Sequence, residues 1–210
     1  MDNKKITVVI NTFNSEDKIY NCIDSISSEL KVIVVENSKK IEFKNNLEKK
    51  YKNLECLLAG ENLGYAKGNN LGLSKVETTY ALILNPDATI EGKTINNFLD
   101  SAKKIQDFAI MGPAKQNEFS LIDENEDQKD IFEVEKLKGF AMFLNLKQFK
   151  DIGFFDDKFF IYLEEIDLCK RLKKNNRKIF LDKNIKIKHQ GGSSHNDSIN
   201  FEMELSRNWH

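Results

Sequence analysis

The chain has 210 residues and a mass of 24.3 kDa, a size typical of a single domain with one hydrophobic core. Its 32 lysines and arginines nearly balance its 33 aspartates and glutamates. General binding of nucleic acid or anionic lipid depends on excess positive charge, so this balance excludes a polyanion-binding role and predicts no nucleic-acid partner. Three widely separated cysteines predict neither a disulfide framework nor a zinc site, and they favour a reducing compartment.

The first half of the chain alternates short β-branched runs with longer amphipathic stretches. This pattern predicts an α/β fold in which helices flank a single, mainly parallel central sheet. The predicted strands are 6–11, 32–35, 54–58 and 80–84. The predicted helices follow Ser15 and cover 43–51, 70–75 and 93–105, and the segment ENLGYAKGNN (61–70) is predicted to be a loop.

The second half is predicted to complete the same domain, which covers residues 1–195. Its first segment, 115–135, is polar and acidic, and such charge runs indicate a solvated, variable loop or hairpin. Strands are predicted at 138–144, 178–181 and 185–189, and the last two are expected to complete the sheet.

Residues 196–210 are predicted to form a C-terminal helix with Phe201, Leu205 and Trp209 on one stripe. Its abrupt end at aromatic residues predicts that the natural chain, or its relatives, continue into a segment that packs or touches the membrane. No apolar run reaches transmembrane length. We therefore expect a cytoplasmic protein, with peripheral contact at the inner face of the cytoplasmic membrane.

Polar residues follow each of the first four predicted strands. In an open parallel sheet, ligands bind outside the carboxyl ends of the strands, so these positions are candidates for a binding site. Each one alone is better explained by ordinary turn chemistry, because Asn, Asp and Gly favour turns. Four in succession at one edge are better explained by a nucleotide-sized ligand. The residues are Asn11, Thr12 and Asn14, then Glu36 and Asn37, then Asn62 and Gly64, and finally Asn85 and Asp87.

Two positions are candidate ligands of a divalent cation. Asp87 stands just beyond an apolar strand and after Pro86, and one carboxylate suffices for Mg²⁺ when phosphate oxygens fill other positions. His189 ends a predicted strand before a Gly-Gly loop, which makes it a candidate for binding metal or phosphate. A turn aspartate and a surface histidine are the structural alternatives.

Glu164, Glu165 and Asp167 place three carboxylates within four residues, directly after the aromatic run FFIYL. Acidic side chains at a helix N-terminus contribute about 0.3–1 kcal/mol each, which is a sufficient structural reason for them. Neighbouring aromatic rings would partly desolvate a carboxylate and raise its pKa, which suits a general base. The helix pattern predicts that these acids face away from the core.

Seven blocks in order resemble the family 2 glycosyltransferases, in particular the bacterial branch that includes rhamnosyltransferase-like proteins. They span about Thr7 to Ser194 and read VVINTFNS, VIVVENS, ENLGYAKGNNLG, ILNPDATI, KGFAMFLN, IGFFDDKFFIYLEEIDLCKRL and KHQGGSS. The resemblance implies a GT-A type fold, a nucleotide-diphosphate sugar as donor, a divalent cation (Mg²⁺ or Mn²⁺) and inversion at the anomeric carbon. Glu36 stands where the family usually has aspartate.

The resemblance also implies roles for individual residues. Asp87 would hold the cation, with His189 as a second ligand, and Glu165 would be the base, although Glu164 and Asp167 stay open as alternatives. The nucleotide pocket would be lined by Thr12, Asn14, Glu36, Asn62, Gly64, Lys67, Asn69 and Asn85.

The expected function is therefore an inverting glycosyltransferase that uses a glycan or lipid-linked acceptor in bacterial surface-polysaccharide assembly. One alternative is a nucleotidyltransferase, but its Gly-rich phosphate loop is missing from NTFNSEDK. A non-catalytic module that binds nucleotide sugars is the other alternative.

Overall fold

The structure of the chain is a computed structural model that describes residues 5–114 and 129–190. The strands are β1 Ile6–Thr12, β2 Lys31–Glu36, β3 Leu54–Leu58, β4 Tyr80–Leu84, β5 Ala88–Ile90, β6 Phe108–Pro113, β7 Ile131–Glu133, β8 Ala141–Asn145, β9 Lys178–Asp182 and β10 Ile187–His189. The helices are α1 Glu16–Asp24, α2 Ile41–Lys50, α3 Gly64–Leu73, α4 Thr94–Lys104 and α5 Glu164–Lys174, with a 3-10 turn at Leu146–Phe149.

Eight strands form the central sheet in the order β3-β2-β1-β4-β8-β6-β9-β7. The pairs among β3, β2, β1 and β4 are parallel, whereas β8 runs antiparallel to both β4 and β6. Both faces of the sheet are buried: Val8 and Ile10 of β1 belong to one apolar cluster, and Val9 between them belongs to the other. Helices on both faces of a mostly parallel sheet confirm the predicted α/β class.

The sequence predictions missed one strand and were wrong in detail for two others. The segment FAIMGP forms β6, a fully buried strand between β8 and β9 that the pattern did not reveal. It has one β-branched residue, and its strand conformation depends on its neighbours in the sheet more than on intrinsic propensity. The final predicted strand contributes β10, which among the described strands pairs with β5 in a separate two-stranded sheet and does not complete the central one. The predicted strand 138–144 begins at Ala141.

Two predictions fall outside the described residues: the C-terminal helix over 196–210 and most of the acidic segment 115–135. The described end of that segment contributes β7, which pairs antiparallel with β9 at an edge of the sheet. In the described ranges, no helix combines the length and the apolar character that crossing a bilayer requires.

Candidate functional site

The carboxyl ends of β3, β2, β1 and β4 lie side by side, as the pattern of polar residues predicted. Thr12 of β1 is in register with Glu36 of β2, and Glu36 is in register with Leu58 of β3. The predicted groups therefore share one edge of the sheet. We call the edge formed by these four strand ends the donor edge.

Asparagine side chains lock the donor edge to helix α3. Asn37 donates a hydrogen bond from Nδ2 to Oδ1 of Asn11, and Asn11 donates from Nδ2 to the carbonyl oxygen of Gly64 at 2.9 Å. A Cβ atom on Gly68 would lie 2.4 Å from Oδ1 of Asn11, so only glycine lets the helix approach this closely. The predicted loop 61–70 is thus helical from Gly64 onward, because tertiary contacts outweigh its glycine and asparagine content.

Gly64 is also where α3 meets the segment that precedes α5. Its φ of +70° lies in the left-handed region, and a Cβ atom there would lie 2.2 Å from the carbonyl oxygen of Phe160. That carbonyl accepts a hydrogen bond from the N–H of Tyr65 at 2.6 Å. The absence of a side chain at Gly64 therefore allows the backbones of the two segments to come into contact.

The other predicted nucleotide-binding residues divide into buried and accessible groups. Thr12 and Asn69 are buried, and no described residue is a hydrogen-bond partner of Oγ1 of Thr12 or Oδ1 of Asn69. Asn14 is exposed, and its N–H donates to Oγ of Ser38 at 2.7 Å. Asn62 and Lys67 line an open groove of about 260 Å³ together with Phe159 and Phe160.

The side chains of the two candidate cation ligands, Asp87 and His189, lie close together. Nε2 of His189 lies 3.2 Å from Oδ1 of Asp87, whose side chain is only 8% exposed. The β5–β10 pairing creates this proximity, because it places His189 opposite Ala88. Nδ2 of Asn85 lies 3.5 Å from Nε2 of His189. The negative charge of Asp87 also reaches Cys22, whose thiol pKa is raised first by burial and then by that charge.

This arrangement fits a divalent cation held by few protein ligands. Across residues 5–114 and 129–190, no group of three or more His, Cys, Asp and Glu side chains could enclose a metal ion. A carboxylate and an imidazole that approach each other at a strand end leave most coordination positions to a phosphate-bearing ligand and water.

Glu164 and Glu165 begin α5 in partly desolvated positions. Two left-handed residues, Tyr162 and Leu163 (φ 67° and 70°), precede the helix and turn the chain into it. Glu164 is only 4% exposed, and burial, followed by the nearby Glu165, raises its pKa to about 8. The prediction that the acids face away from the core is therefore wrong for Glu164, which points into the interior. Glu164 is the first residue of α5, where the surroundings depend on the segments that pack against the helix start. The pattern of apolar residues along the helix does not reveal these segments.

Glu165 and Asp167 have different surroundings. Glu165 is partly exposed, and burial is the main cause of its raised pKa, which the charge of Lys136 opposes. Asp167 accepts a charged hydrogen bond at 2.6 Å from Nε of Arg171, one helical turn later. Arg171 also donates to the carbonyl oxygen of Phe154, so Asp167 belongs to a structural ion pair.

The dipeptide Gly139–Phe140 joins the two clusters. A Cβ atom on Gly139 would lie 3.6 Å from Cβ of Glu165, and the Gly139 carbonyl accepts a hydrogen bond from the Tyr65 hydroxyl at 2.5 Å. The ring of Phe140 stacks on His189 at 4.4 Å between centroids, and the Phe140 carbonyl accepts the N–H of Asn85 at 2.8 Å. Glu165 and the Asp87–His189 pair therefore flank two consecutive residues.

The sequence interpretation did not single out several residues that the structure places at this site. Phe13 is 49% exposed at the end of β1, and Ser38 lies beside Asn14. An aromatic residue amid polar strand-end residues was a usable signal for Phe13. Tyr65, Gly139 and Phe140 carry no such signal, because their roles depend on contacts between segments that are distant in the sequence, such as the hydrogen bond from Tyr65 to Gly139, 74 residues away, and the stacking of Phe140 on His189.

The fold defines the class of protein first. It is of the GT-A type, with TM-scores of 0.67 to the structure of S. aureus TarS 1-349 (20% identity; 87% of this chain and 59% of that one covered) and 0.70 to the mannosyltransferase PcManGT from Pyrobaculum calidifontis in complex with GDP-Man and Mn2+ (12% identity; 96% and 61% covered).

The chain belongs to glycosyl transferase family 2, whose family model matches residues 7–169. It is 25% identical over 194 residues to the low-salt glycan biosynthesis hexosyltransferase Agl10 of Haloferax volcanii, covering 81% of this chain and 62% of that protein. It is 24% identical over 203 residues to the rhamnosyltransferase WbbL of Escherichia coli K12, covering 80% and 76%. The family resemblance seen in the sequence is thereby confirmed.

Proposed function

We propose that this chain is the catalytic domain of an inverting, divalent-cation-dependent glycosyltransferase. It transfers a sugar from a nucleotide-diphosphate sugar to a hydroxyl group of a glycan or lipid-linked acceptor in bacterial surface-polysaccharide assembly. The observation that carries the proposal is the Gly139–Phe140 junction. It brings a partly desolvated carboxylate and an Asp–His pair to the two sides of one short segment.

The donor edge would bind the nucleotide. Phe13 offers an exposed ring on which a base can stack, and Thr12 and Asn14 flank it. Asn62 and Lys67 face the adjoining groove, and Lys67 supplies positive charge to a phosphate. Gly64, Asn69 and Asn85 would act by placing backbone and neighbouring groups, since each is held within the local hydrogen-bond network.

Asp87 and His189 would hold the cation, Mg²⁺ or Mn²⁺. When bound, such an ion acts as a Lewis acid that stabilises the negative charge of the departing nucleoside diphosphate. Phe140 keeps the His189 ring in place by stacking, and the β5–β10 pairing fixes its distance from Asp87. The structural neighbour PcManGT is in complex with GDP-Man and Mn2+, which supports this choice of ion.

Glu165 is the proposed base. It would accept the proton of the acceptor hydroxyl as that oxygen attacks the anomeric carbon from the face opposite the leaving group, which inverts the configuration. Glu164 is only 4% exposed and points into the interior, so an acceptor hydroxyl has little access to it, and its raised pKa of about 8 leaves it largely protonated at neutral pH. Asp167 is committed to Arg171. Peripheral contact with the inner face of the cytoplasmic membrane stays a prediction.

Release of nucleoside diphosphate tests this proposal directly. The donor is first found by a thermal-shift screen of nucleotide sugars with Mn²⁺, and the release rate is then measured with and without acceptor. Glu165→Gln should leave donor affinity unchanged and lower the rate by roughly 10² to 10⁴, the usual contribution of a general base.

Glu164→Gln and Glu135→Gln are the controls. Glu135 is exposed and pairs with Lys173, so its substitution should leave the rate unchanged. A wild-type rate in Glu165→Gln together with a large loss in Glu164→Gln would move the base to Glu164. A chain that binds no nucleotide sugar would contradict the proposed function.

A further inference from the structure

The surroundings of Glu36 bear on how the site recognises a nucleobase, an inference that rests on the proposed function. Glu36 is the last residue of β2 and is only 1% exposed. Oε1 accepts the N–H of Ser38 at 2.6 Å, and Oε2 accepts the N–H of Lys40 at 2.8 Å. Both carboxylate oxygens therefore face the chain's own backbone.

These two hydrogen bonds shape the turn over 36–40. Lys39, between the two donors, has a φ of 60°, a left-handed conformation that is unfavourable for a residue with a side chain. Hydrogen bonds from backbone N–H groups to a carboxylate are stronger than those to a neutral acceptor, and two of them hold that conformation. An aspartate would suit the bond to the residue two positions ahead, as in an Asx turn. The additional methylene of Glu36 extends the carboxylate to Lys40 as well.

The turn places a different polar group at the donor edge. Oγ of Ser38 accepts the N–H of Asn14 at 2.7 Å, which joins the turn to the end of β1. Ser38 is half-buried, and no described residue accepts its hydroxyl proton. A serine hydroxyl is both donor and acceptor, so Ser38 retains a donor for a carbonyl group of a ligand.

We propose that Glu36 is a positioning residue that builds the 36–40 turn, and that the Ser38 hydroxyl, rather than the Glu36 carboxylate, contacts the nucleobase. The base is then selected by the shape of the turn and by one neutral donor. A carboxylate that read the base directly would discriminate between bases whose edge at that point donates and those whose edge accepts.

Binding of nucleoside diphosphates to Glu36→Gln separates the two possibilities. Affinities are measured calorimetrically with Mn²⁺ for UDP and CDP, for GDP and ADP, and for inorganic pyrophosphate. Within each nucleotide pair, the hydrogen-bonding edge of the base reverses donors and acceptors. Glutamine keeps one acceptor but sets an NH₂ group against a backbone N–H. The Kd of both members of the bound pair should therefore rise by the same factor, roughly tenfold, with pyrophosphate binding unchanged.

The matched control is Glu48→Gln. Glu48 also accepts a backbone N–H, that of Cys56 at 2.9 Å, but at the free edge of β3. It should leave all affinities unchanged, whereas Ser38→Ala should weaken nucleotide binding but not pyrophosphate binding.

A changed ratio within a nucleotide pair in Glu36→Gln would overturn the inference in favour of direct readout. An equal loss of pyrophosphate binding would reduce Glu36 to a general structural role, and wild-type affinity in Ser38→Ala would exclude its contact with the base. If the wild-type chain binds none of the four nucleotides, the proposed function itself fails.

Discussion

The polar groups of the donor edge and those at the start of α5 are positioned by different means. At the donor edge, the residues follow parallel strands, so the direction of the sheet alone gathers them. Before α5, two left-handed residues and contacts from α3 and the Gly139–Phe140 dipeptide place Glu164 and Glu165. A repeated strand–helix unit therefore builds the first region, whereas packing between distant segments builds the second.

Asp87→Ala, at the donor edge, should have the largest effect of these substitutions. It removes the carboxylate that His189 approaches at 3.2 Å, so the increase in melting temperature caused by UDP plus Mn²⁺ should vanish. The partly exposed Glu91, which pairs with Lys188 of β10, provides the control Glu91→Gln. An unchanged Mn²⁺-dependent shift in Asp87→Ala would remove Asp87 from the cation site.

Gly64→Ala tests the contact that joins the two regions. The new methyl group would meet the Phe160 carbonyl at 2.2 Å, in addition to the roughly 1–2 kcal/mol cost of a left-handed backbone. Urea unfolding should therefore show a loss clearly larger than that of Gly60→Ala. Gly60 has a φ of +78° with no atom near its Cβ position, so it isolates the backbone cost. Equal losses would show that the close approach at Phe160 does not stabilise the fold.

Glu164→Gln, which acts at the start of α5, should have the smallest effect of these substitutions. Folding raises the pKa of Glu164 from 4.5 to about 8, so between these values the folded state holds a proton that the unfolded state releases. Its contribution to stability is complete below pH 4.5 and is lost as the pH rises to about 8. The glutamine variant, which is neutral throughout, should gain stability relative to the wild type over this range.

Urea unfolding midpoints at pH 5, 7 and 8.5 measure the difference in stability between the wild type and Glu164→Gln. The exposed Glu77→Gln reports the effect of the same substitution outside the interior. Parallel pH profiles for the wild type and Glu164→Gln would contradict a buried, protonated Glu164.

The accuracy of the sequence predictions follows the same division. Asn11, Glu36 and Asp87 could be assigned to one edge because each follows a strand of a parallel unit. The helical start of α3 could not be predicted, because glycines at 64 and 68 are typical of a loop. The structure shows that Gly64 and Gly68 allow close contacts with Phe160 and Asn11. Likewise, β6 has little β-branched content, and its position between β8 and β9 makes it a strand.

The α/β class, the family and the polar residues at the strand ends could all be predicted from the amino-acid sequence, because periodicity, motifs and turn chemistry are local properties. The tertiary structure decided which carboxylate is buried, which is paired and which stays accessible. The physical reason is that burial and hydrogen bonding depend on neighbours brought together by folding, and these set the pKa and the partners of each group.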